Sequence, residues 1–417
     1  MIISSLCTLF IVIIFLNLTS SERKITSMVE RLYDVESEDF VRTMSHLLGP
    51  TMTLGNSVAT LNNGDQIFPA MLNAIKNARY TICFETYVYW KGNIGNQFSE
   101  ALSERARSGI KVHLLIDAIG AGKLDRKALR RMREAGVEIQ RYHPLRWYTL
   151  TKINNRTHRK LLIIDGEIGF TGGVGIADAW LGRARHSDQW RDSHFQLNGP
   201  CVLQMQAAFM DNWIKTSNTV LHGPRYFPSP VEAGPILAQV FTSSPNGGAE
   251  SMRLMYLLAI TCARDEILLG NSYFLPDDLI IRTLVAAAKR GVRIEIILPG
   301  RHIDHNIVRN ASWGRWGKLL EAGIMIHEYQ PTMYHCKIMI VDSLWVSVGS
   351  NNFDNRSFRL NDEANLNIYD REFAHVEREQ FFKDRNQSKL ITYSAWKKRP
   401  FLGKIFEWLS GLLRHQL

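Results

Sequence analysis

Cysteine is scarce in this chain, and its few cysteines are not paired in sequence. The 417 residues include five cysteines, and no two of them are spaced as CxxC. This pattern excludes a dense disulfide framework and argues against a zinc site. The cysteines lie mostly in apolar runs, which is typical of buried thiols in a reducing compartment. They are Cys7, Cys83, Cys201, Cys262 and Cys336.

An excess of acidic residues is also missing. The chain has 50 Lys and Arg against 40 Asp and Glu, which gives a formal net charge of +10. This balance points to an anionic partner, for which nucleic acid and anionic lipid both qualify. The composition is otherwise that of a globular protein, with 45% hydrophobic and 22% charged residues. The length allows one large core or two domain-sized cores.

Long uncharged apolar runs are rare, and the clearest one opens the chain. Residues 1–18 carry no charged side chain, and a run of ~20 apolar residues suffices to span a bilayer. Arg23 and Lys24 follow the run, whereas a secretory signal normally begins with its basic residues. The positive-inside rule then favours an uncleaved anchor over residues 1–20, with the main domain in the cytoplasm. A cleaved signal and a peripheral segment are the alternatives.

The chain does contain one pattern that occurs twice. Residues 158–175 read HRKLLIIDGEIGFTGGVG, and residues 335–352 read HCKIMIVDSLWVSVGSNN. A single HxK carries little information, whereas agreement at every offset in two copies indicates a functional site. The matched positions are His158, Lys160, Asp165, Gly172 and Gly173 in the first copy, and His335, Lys337, Asp342, Gly349 and Ser350 in the second.

The double motif lies inside a longer internal repeat. In each half, a helical pattern, a glycine and a short β-rich run follow one another several times. This order is typical of α/β units with a mostly parallel sheet, so the predicted fold class is α/β with two similar halves. The units are residues 68–90, 101–120 and 128–144 in the first half, and 254–277, 283–300 and 316–331 in the second.

These patterns divide the chain into five segments. They are an N-terminal anchor (1–20), a first domain (50–222), a linker (223–235), a second domain (236–390) and a C-terminal helix (396–417). Four prolines break any regular element in the linker. The C-terminal segment places apolar residues at helical spacing among Lys and Arg, which suits an amphipathic helix in the interface of an anionic membrane. A terminal helix packed on the domain is the alternative.

The residue types in the repeat suit the cleavage of a phosphate diester. On a strand, residues i and i+2 point to the same face, so each His projects beside its Lys. One neutral imidazole can attack phosphorus while a second, protonated imidazole donates to the leaving alkoxide. The two lysines can stabilise charge on the non-bridging oxygens. Each motif therefore supplies half of a site that works through a covalent phosphohistidine.

Polar residues that follow each motif are further candidates. Ser350 and Asn352 could donate hydrogen bonds to phosphate, and Asp192 and Glu363 could each orient an imidazole. If the halves face each other about a pseudo-dyad, each carboxylate supports the His of the opposite half. The alternative is that Asp192 and Glu363 form structural salt bridges.

The paired H-x-K-x4-D-x6-G-[GS] motifs resemble those of the phospholipase D superfamily. Strings such as WRDSHFQLNGP (190–200) and FDNRSFRLNDE (353–363) are similar to those of bacterial cardiolipin synthases. The resemblance covers most of the chain and implies that 50–222 and 236–390 are two phospholipase D-like α/β/α domains with the active site at their interface. It also implies that neither a metal ion nor an organic cofactor takes part.

The same resemblance implies phosphatidyl transfer: one phosphatidylglycerol gives its phosphatidyl group to a His and releases glycerol, and a second phosphatidylglycerol attacks to form cardiolipin. It assigns His158 as nucleophile and His335 as general acid and then base, with the reverse assignment as the alternative. The first half departs from the family pattern at Gly175, where the second half has Asn352. The catalytic residues that carry over are His158, Lys160, Asp165, His335, Lys337 and Asp342.

The expected partners are an anionic phospholipid (phosphatidylglycerol) and the membrane, with no nucleic acid. The expected location is the inner membrane, with the catalytic domain on its cytoplasmic face. A phospholipase D that hydrolyses phospholipid to phosphatidic acid and a phosphodiesterase or nuclease of the same superfamily are the alternative functions. A lipid-binding protein without activity is disfavoured, because binding alone needs neither a nucleophile nor an acid.

Overall fold

The computed structural model describes Thr8 and residues 25–144, 154–245 and 250–412. Within these residues, sixteen strands form one sheet. The expected anchor over residues 1–20 lies, apart from Thr8, outside the described residues. Among the helices that are described, none has the length and apolar composition needed to cross a bilayer.

The strands fall into two sets, one from each half of the chain. The first set is β1 (Thr53–Asn62), β2 (Thr81–Thr86), β3 (Lys111–Asp117), β4 (Glu138–Tyr142), β5 (Arg156–Thr157), β6 (Leu161–Ile164), β7 (Ile168–Gly172), β8 (Trp190–Arg191) and β9 (Ser193–Asn198). The second set is β10 (Ile236–Ser243), β11 (Glu266–Asn271), β12 (Phe274–Leu275), β13 (Arg293–Pro299), β14 (Met325–Tyr329), β15 (Met333–Tyr334), β16 (Lys337–Val341), β17 (Trp345–Gly349), β18 (Phe353–Asp354), β19 (Asn361–Tyr369) and β20 (Ser388–Ile391).

The helices cover both faces of the sheet. In the first half they are α1 (Glu38–Leu47), α2 (Asn63–Lys76), α3 (Asn93–Arg107), α4 (Arg126–Glu134) and α5 (Cys201–Ser217). In the second half they are α6 (Ser251–Cys262), α7 (Asp278–Lys289), α8 (Asn306–Trp313), α9 (Gly317–Glu321), α10 (Asn355–Arg359), α11 (Arg371–Arg385), α12 (Tyr393–Lys397) and α13 (Phe401–Leu412).

The strands of the large sheet lie in the order β20-β14-β13-β11-β16-β17-β19-β10-β1-β9-β7-β6-β2-β3-β4, with β5 paired to β19. The order of strands in the first half repeats in the second. Strands β2, β3 and β4 are parallel neighbours, as are β11, β13 and β14. The halves join where β1 pairs antiparallel with β10 in the middle of the sheet. The predicted α/β class is confirmed, but the prediction of a mostly parallel sheet is wrong. Each half adds an antiparallel hairpin, β6–β7 or β16–β17, and a further antiparallel strand, β9 or β19.

Turn chemistry explains these two hairpins. The first turns at Asp165 and Gly166, with φ of 55° and 69°, and the second at Asp342 and Ser343, with φ of 52° and 47°. A tight hairpin turn of this kind requires positive φ at both central residues, which Gly and Asp adopt more readily than most residues. The Asp of each repeat therefore reverses the chain and makes the motif strand antiparallel to the next one.

Apolar burial unites the two halves. The central strands β2 (TICFET) and β11 (EILLGN) are buried along their whole length, as expected for strands covered on both faces. One core lies within the first half and another mainly within the second, and a third takes residues from both, among them Leu161, Phe209, Val348 and Phe373. Burial on this scale favours one rigid arrangement of the halves.

Candidate active site

A cavity of about 450 Å³ receives side chains from both halves. His158 and Lys160 line it from the first half, and His335 and Asn352 line it from the second. The two His motifs, which stand far apart in sequence, therefore meet at one place. Aromatic walls complete the cavity, and they consist of Tyr87, Trp90, Trp180, Trp190 and Tyr273.

His158 reaches the cavity because its chain segment pairs with the other half. The two residues of β5 pair in parallel with Asn361 and Asp362 at the start of β19. The backbone N–H of His158 then donates to the carbonyl of Asp362 at 2.9 Å. The first-half histidine is thus held by a strand of the second half.

His335 is held by the same device in reverse. The two residues of β15 pair in parallel with Trp190 and Arg191 of β8. The backbone N–H of His335 donates to the carbonyl of Arg191 at 2.7 Å. Each half thus donates an equivalent backbone hydrogen bond to the other, as expected for two halves related by a pseudo-dyad.

The residue after each carbonyl supplies a carboxylate to the imidazole. His158 Nδ1 lies 3.0 Å from Glu363 Oε2, and His335 Nδ1 lies 2.7 Å from Asp192 Oδ2. A carboxylate accepts a hydrogen bond, so it holds the proton of a neutral imidazole on Nδ1 and leaves the lone pair on Nε2. Each Nε2 atom then carries the lone pair that can attack or accept a proton, and Nε2 of His335 lies 3.3 Å from Lys337 Nζ.

Burial sets the protonation of these groups. It lowers the pKa of His335 to about 4 and also lowers the pKa of His158, so both imidazoles are neutral near pH 7. Burial alone would raise the pKa of both carboxyls. The hydrogen bond from each histidine and the positive charge of the nearby lysine, Lys337 or Lys160, help to outweigh it, so the pKa values of Asp192 and Glu363 lie below their ordinary values.

The two lysines project beside their histidines, as i and i+2 residues of a strand must. Lys160 Nζ donates to the His158 carbonyl at 2.7 Å, and Lys337 Nζ donates to Ser272 Oγ at 2.7 Å. Burial lowers the pKa of Lys160 to about 7 and also lowers that of Lys337. An anion that enters the cavity would stabilise both ammonium groups, because an opposite charge favours the charged form.

The polar candidates after the motifs divide into two roles. Ser350 Oγ donates to Glu363 Oε2 at 2.5 Å, so it supports a carboxylate and does not face the cavity. Asn352 lines the cavity, and its side-chain oxygen accepts from Ser272 Oγ at 2.7 Å. Of the two residues expected to donate to phosphate, the structure therefore brings only Asn352 to the cavity.

The first half uses different residues at the matching positions. A Cβ atom on Gly173 would lie 2.3 Å from Asp192 Oδ1, so a serine cannot occupy that position without moving the carboxylate. The Trp180 indole N–H donates to Asp192 Oδ2 at 2.9 Å and replaces the serine hydroxyl. Gly175, the counterpart of Asn352, leaves room for Val88, whose Cβ would be 2.6 Å from an added Cβ.

Asp165 and Asp342 do not reach the cavity, which corrects their assignment as catalytic. The Asp165 carboxylate accepts the backbone N–H groups of Arg79, Tyr80 and Thr81 at 2.7–2.8 Å. The Asp342 carboxylate makes the same three bonds, at 2.8–2.9 Å, to residues 264–266. Each Asp therefore binds the backbone at the start of β2 or β11, whereas the histidines lie near the other end of these strands. The contacts of both aspartates are those of a structural residue.

Three residues that contact the histidines, lysines or carboxylates of the site were not predicted from the sequence. They are Trp180, which donates to Asp192; Ser272, which links Lys337 to Asn352; and Tyr87, whose ring lies 5.3 Å from that of His158. Tyr87 and Ser272 occupy equivalent positions of the repeat, one residue after β2 and β11, so an alignment of the halves would have found them. Trp180 has no such signal, because the three-residue 3-10 helix that it ends (Asp178–Trp180) is too short to show periodicity.

Three comparisons with known proteins agree with this geometry. The family model described as "Cardiolipin synthase, PLD-like domain" matches residues 71–186 and 256–385. A cardiolipin synthase of Geobacillus kaustophilus is 34% identical over 92% of this chain and 77% of its own length. A cardiolipin synthase 2 of Staphylococcus epidermidis is 32% identical over 91% of this chain and 78% of its own.

A solved structure supports the fold alone. The phosphatidylserine synthase of Haemophilus influenzae superposes with a TM-score of 0.70 at 14% identity, over 91% of this chain and all of that one. The two matched segments of the family model each contain one HxK motif, in agreement with an internal duplication. The chain belongs to the cardiolipin synthase family of phospholipase D-like proteins.

Proposed function

We propose that this protein transfers a phosphatidyl group from one phosphatidylglycerol to another, forming cardiolipin and glycerol. The observation that carries the proposal is the pair of imidazoles, each with a carboxylate on Nδ1, that line one cavity. Lys160 also lines this cavity, and Lys337 Nζ lies 3.3 Å from His335 Nε2. A site of this kind suits a phosphate diester, and the relatives that match most of the chain are named cardiolipin synthases.

In the first step, His158 Nε2 attacks phosphorus and the bond from phosphorus to the glycerol oxygen breaks. The leaving alkoxide takes a proton from His335 and departs as glycerol. Lys160 and Lys337 stabilise the charge on the non-bridging oxygens. His335 must therefore be protonated when the diester is bound. The negative charge of the diester raises the pKa of His335 from its resting value of about 4.

In the second step, a hydroxyl of a second phosphatidylglycerol attacks phosphorus on the face that glycerol has left. Neutral His335 accepts the hydroxyl proton, the P–N bond to His158 breaks, and cardiolipin is released. The two displacements at phosphorus share one covalent intermediate, and together they conserve atoms and charge. In each step His158 forms or breaks the bond to phosphorus, and His335 transfers the proton.

The reverse assignment is the second candidate, and one observation favours it. The pKa of His335 is lowered to about 4, so this imidazole is neutral over a wide pH range, as a nucleophile must be. Rapid quenching in a neutral denaturant with phosphatidylglycerol labelled in the phosphatidyl group, followed by peptide mapping without acid, assigns the nucleophile. Label on the peptide with His158 supports the first assignment, and label on the peptide with His335 supports the second.

We further propose that the protein works on the inner membrane with its catalytic domain on the cytoplasmic face. Membrane association is expected of a family with phospholipid substrates. Arg23 and Lys24, which follow the apolar N-terminal run, support the cytoplasmic side under the positive-inside rule. The buried, unpaired cysteines that the structure describes suit a reducing compartment.

Mass spectrometry of the lipids tests the proposal. The purified full chain is incubated in vesicles of phosphatidylglycerol, alone and with phosphatidylethanolamine. Equimolar cardiolipin and glycerol are expected, whereas phosphatidic acid in their place would identify a hydrolytic phospholipase D. The double variant with alanine at both His158 and His335 is the control for contaminating activity.

A further inference from the structure

The C-terminal helix α13 packs in the opposite sense to an ordinary surface helix. Phe406 and Leu409, one turn apart, are 60% and 47% exposed, while Glu407 and Ser410 are buried. An amphipathic helix on a soluble domain buries its apolar stripe and exposes its polar residues. This helix therefore turns Glu407 and Ser410 toward the protein, while Phe406 and Leu409 stay largely uncovered by the residues that the structure describes.

Specific bonds hold the helix in this orientation. The buried Glu407 carboxylate pairs with the Arg399 guanidinium at 2.7 Å. The Arg399 guanidinium stacks over the Trp396 ring at 3.8 Å, and the Trp396 indole N–H donates to the Trp313 carbonyl at 2.8 Å. A buried charge that lost its partner would be costly, so rotating α13 to hide Phe406 and Leu409 is disfavoured.

The surface formed by α13 adjoins the active-site cavity. Helix α13 packs on α8, which is eight residues and so ~12 Å long. Helix α8 carries Ile307 and Val308 into the cavity wall, and Ile307 is itself 39% exposed. Helix α8 therefore connects α13 to the wall of the cavity.

Positive charge surrounds the same surface. Lys397, Lys398 and Lys404 are exposed before and within α13. Lysines beside apolar side chains match the two layers of an anionic bilayer, which are phosphate headgroups above hydrocarbon. A second protein would complement apolar groups but would not need these three lysines, so an anionic bilayer fits the surface best.

We propose that the exposed face of α13, with Phe406 and Leu409 at its centre, is the surface that docks the cavity onto an anionic phospholipid bilayer. Phe406 and Leu409 enter the hydrocarbon, the lysines stay at the headgroups, and α8 keeps the cavity wall at the level from which a headgroup enters. The inference rests on the proposed function, because a phospholipid substrate reaches the cavity only from a bilayer.

A spin label tests which material covers this face. The full chain carries Leu409→Cys in a Cys7→Ser background, and a nitroxide is attached; the four described cysteines are buried. In vesicles of phosphatidylglycerol, we expect the label to be accessible to oxygen and shielded from a water-soluble nickel chelate. The matched control is Val231→Cys, at an apolar side chain that is 74% exposed in the linker, where we expect access to nickel.

Two results would overturn the proposal. A label at position 409 that nickel reaches as easily as at position 231 means that the face stays in water. A label shielded from both oxygen and nickel means that protein covers it, either a second copy or another segment of this chain.

Turnover provides an independent test. Replacing Phe406 and Leu409 by Ser together should lower turnover of phosphatidylglycerol in vesicles on the order of tenfold or more, because two apolar side chains leave the hydrocarbon. Turnover of a short-chain, monomeric phosphatidylglycerol in solution should stay unchanged, which also shows that the variant is folded. Val231→Ser is the control, and equal losses on both substrates would contradict docking.

The same samples separate this inference from the proposed function. Insertion of residue 409 without cardiolipin formation by the unlabelled chain would reject the transferase and keep the docking surface. Cardiolipin formation with residue 409 in water would do the reverse.

Discussion

In the first half of the site, Glu363 accepts from His158 and is supported by the Ser350 hydroxyl. In the second half, Asp192 accepts from His335 and is supported by the Trp180 indole. The backbone exchange that positions the two imidazoles is the same in both halves, whereas the side chains around the carboxylates differ. Duplication has therefore preserved the framework of the site and left its chemistry free to diverge.

The residue between His and Lys shows the same divergence. Arg159 is buried, donates to the Ala208 carbonyl at 2.7 Å and lies 3.3 Å from the Asp211 carboxylate. Its counterpart Cys336 is also buried, with burial raising the pKa of the thiol to about 12. On the side of the first motif that faces away from the cavity, the charge belongs to the motif residue Arg159. In the second motif the residue is a neutral thiol, and the nearby charges belong to the ion pair of Arg191 with Asp384 at 2.9 Å.

The largest expected effect separates the roles of the histidines. His158→Ala and His335→Ala should each lower turnover on the order of a thousandfold or more. With a diester of p-nitrophenol, whose leaving group needs no proton, the variant without the general acid should still form the phosphohistidine. Quenched labelling of both variants checks this, and rescue of both or of neither would contradict unequal roles.

The next effect concerns the crossed carboxylates. Asp192→Asn and Glu363→Gln keep size but remove the acceptor that holds the Nδ1 proton, so each should cost on the order of a hundredfold in kcat. The pH profile of kcat should also move, which loss of packing alone would not cause. Glu167→Gln, at an exposed carboxylate of the β6–β7 hairpin, is the control.

A smaller effect compares the glycine and the serine. Gly173→Ala should disturb Asp192, because the added Cβ would lie 2.3 Å from its oxygen, and kcat should fall nearly as far as in Asp192→Asn. Ser350→Ala removes one hydrogen bond to a charged group, worth roughly 1.5–3 kcal/mol, and about tenfold in kcat is expected. Equal losses in the two variants would show that the supports of the carboxylates are interchangeable.

The smallest effect on turnover belongs to the aspartates of the hairpins. Asp165→Asn and Asp342→Asn should leave kcat within a few-fold of the parent, because neither carboxylate reaches the cavity. Each weakens three bonds to backbone N–H groups, so the free energy of unfolding should fall by roughly 1–3 kcal/mol. Urea unfolding measures this loss, and a collapse of kcat in a folded variant would return these residues to the chemistry.

Lowering the pH should reduce the free energy of unfolding, because His335 binds a proton more readily in the unfolded chain than in the folded one. Its pKa is 6.5 when unfolded and about 4 when folded, so between these values the unfolded chain binds the extra proton. The stabilisation is fully present above pH 6.5 and is lost as pH falls toward 4, by about 1.4 kcal/mol per unit. His335→Ala should flatten this part of the pH dependence, and an unchanged slope would contradict a neutral buried imidazole.

Much of the framework could be predicted from the sequence, because it depends on local patterns. The pattern over residues 68–90 predicted a helix and then a strand, and the structure has α2 and β2 there. The repeat placed the His and Lys side chains correctly on one face, since the alternation of a strand requires it. The prediction that the strands run mostly parallel was wrong, because turns at single residues such as Asp342 set the direction of the next strand.

The pairing of β5 with β19 and of β15 with β8 could not be predicted. Each involves two-residue strands, which are too short to show any periodicity, and their partners are distant in sequence. An amphipathic helix was expected over 396–417, and the structure has α13 over Phe401–Leu412. The sequence left open whether its apolar residues face a membrane or pack on the domain, because the helical spacing is the same in both cases. The ion pair of Glu407 with Arg399 is a long-range contact that orients the helix.

The crossed carboxylates also bear on the synthesis of the protein. Glu363 leaves the ribosome 205 residues after His158, its partner. At about 5–20 residues per second, the first motif waits roughly 10–40 s before its strand neighbour and its carboxylate exist. A nascent chain that already carries the first histidine therefore lacks the carboxylate that orients it, and the complete site forms only when translation is nearly finished.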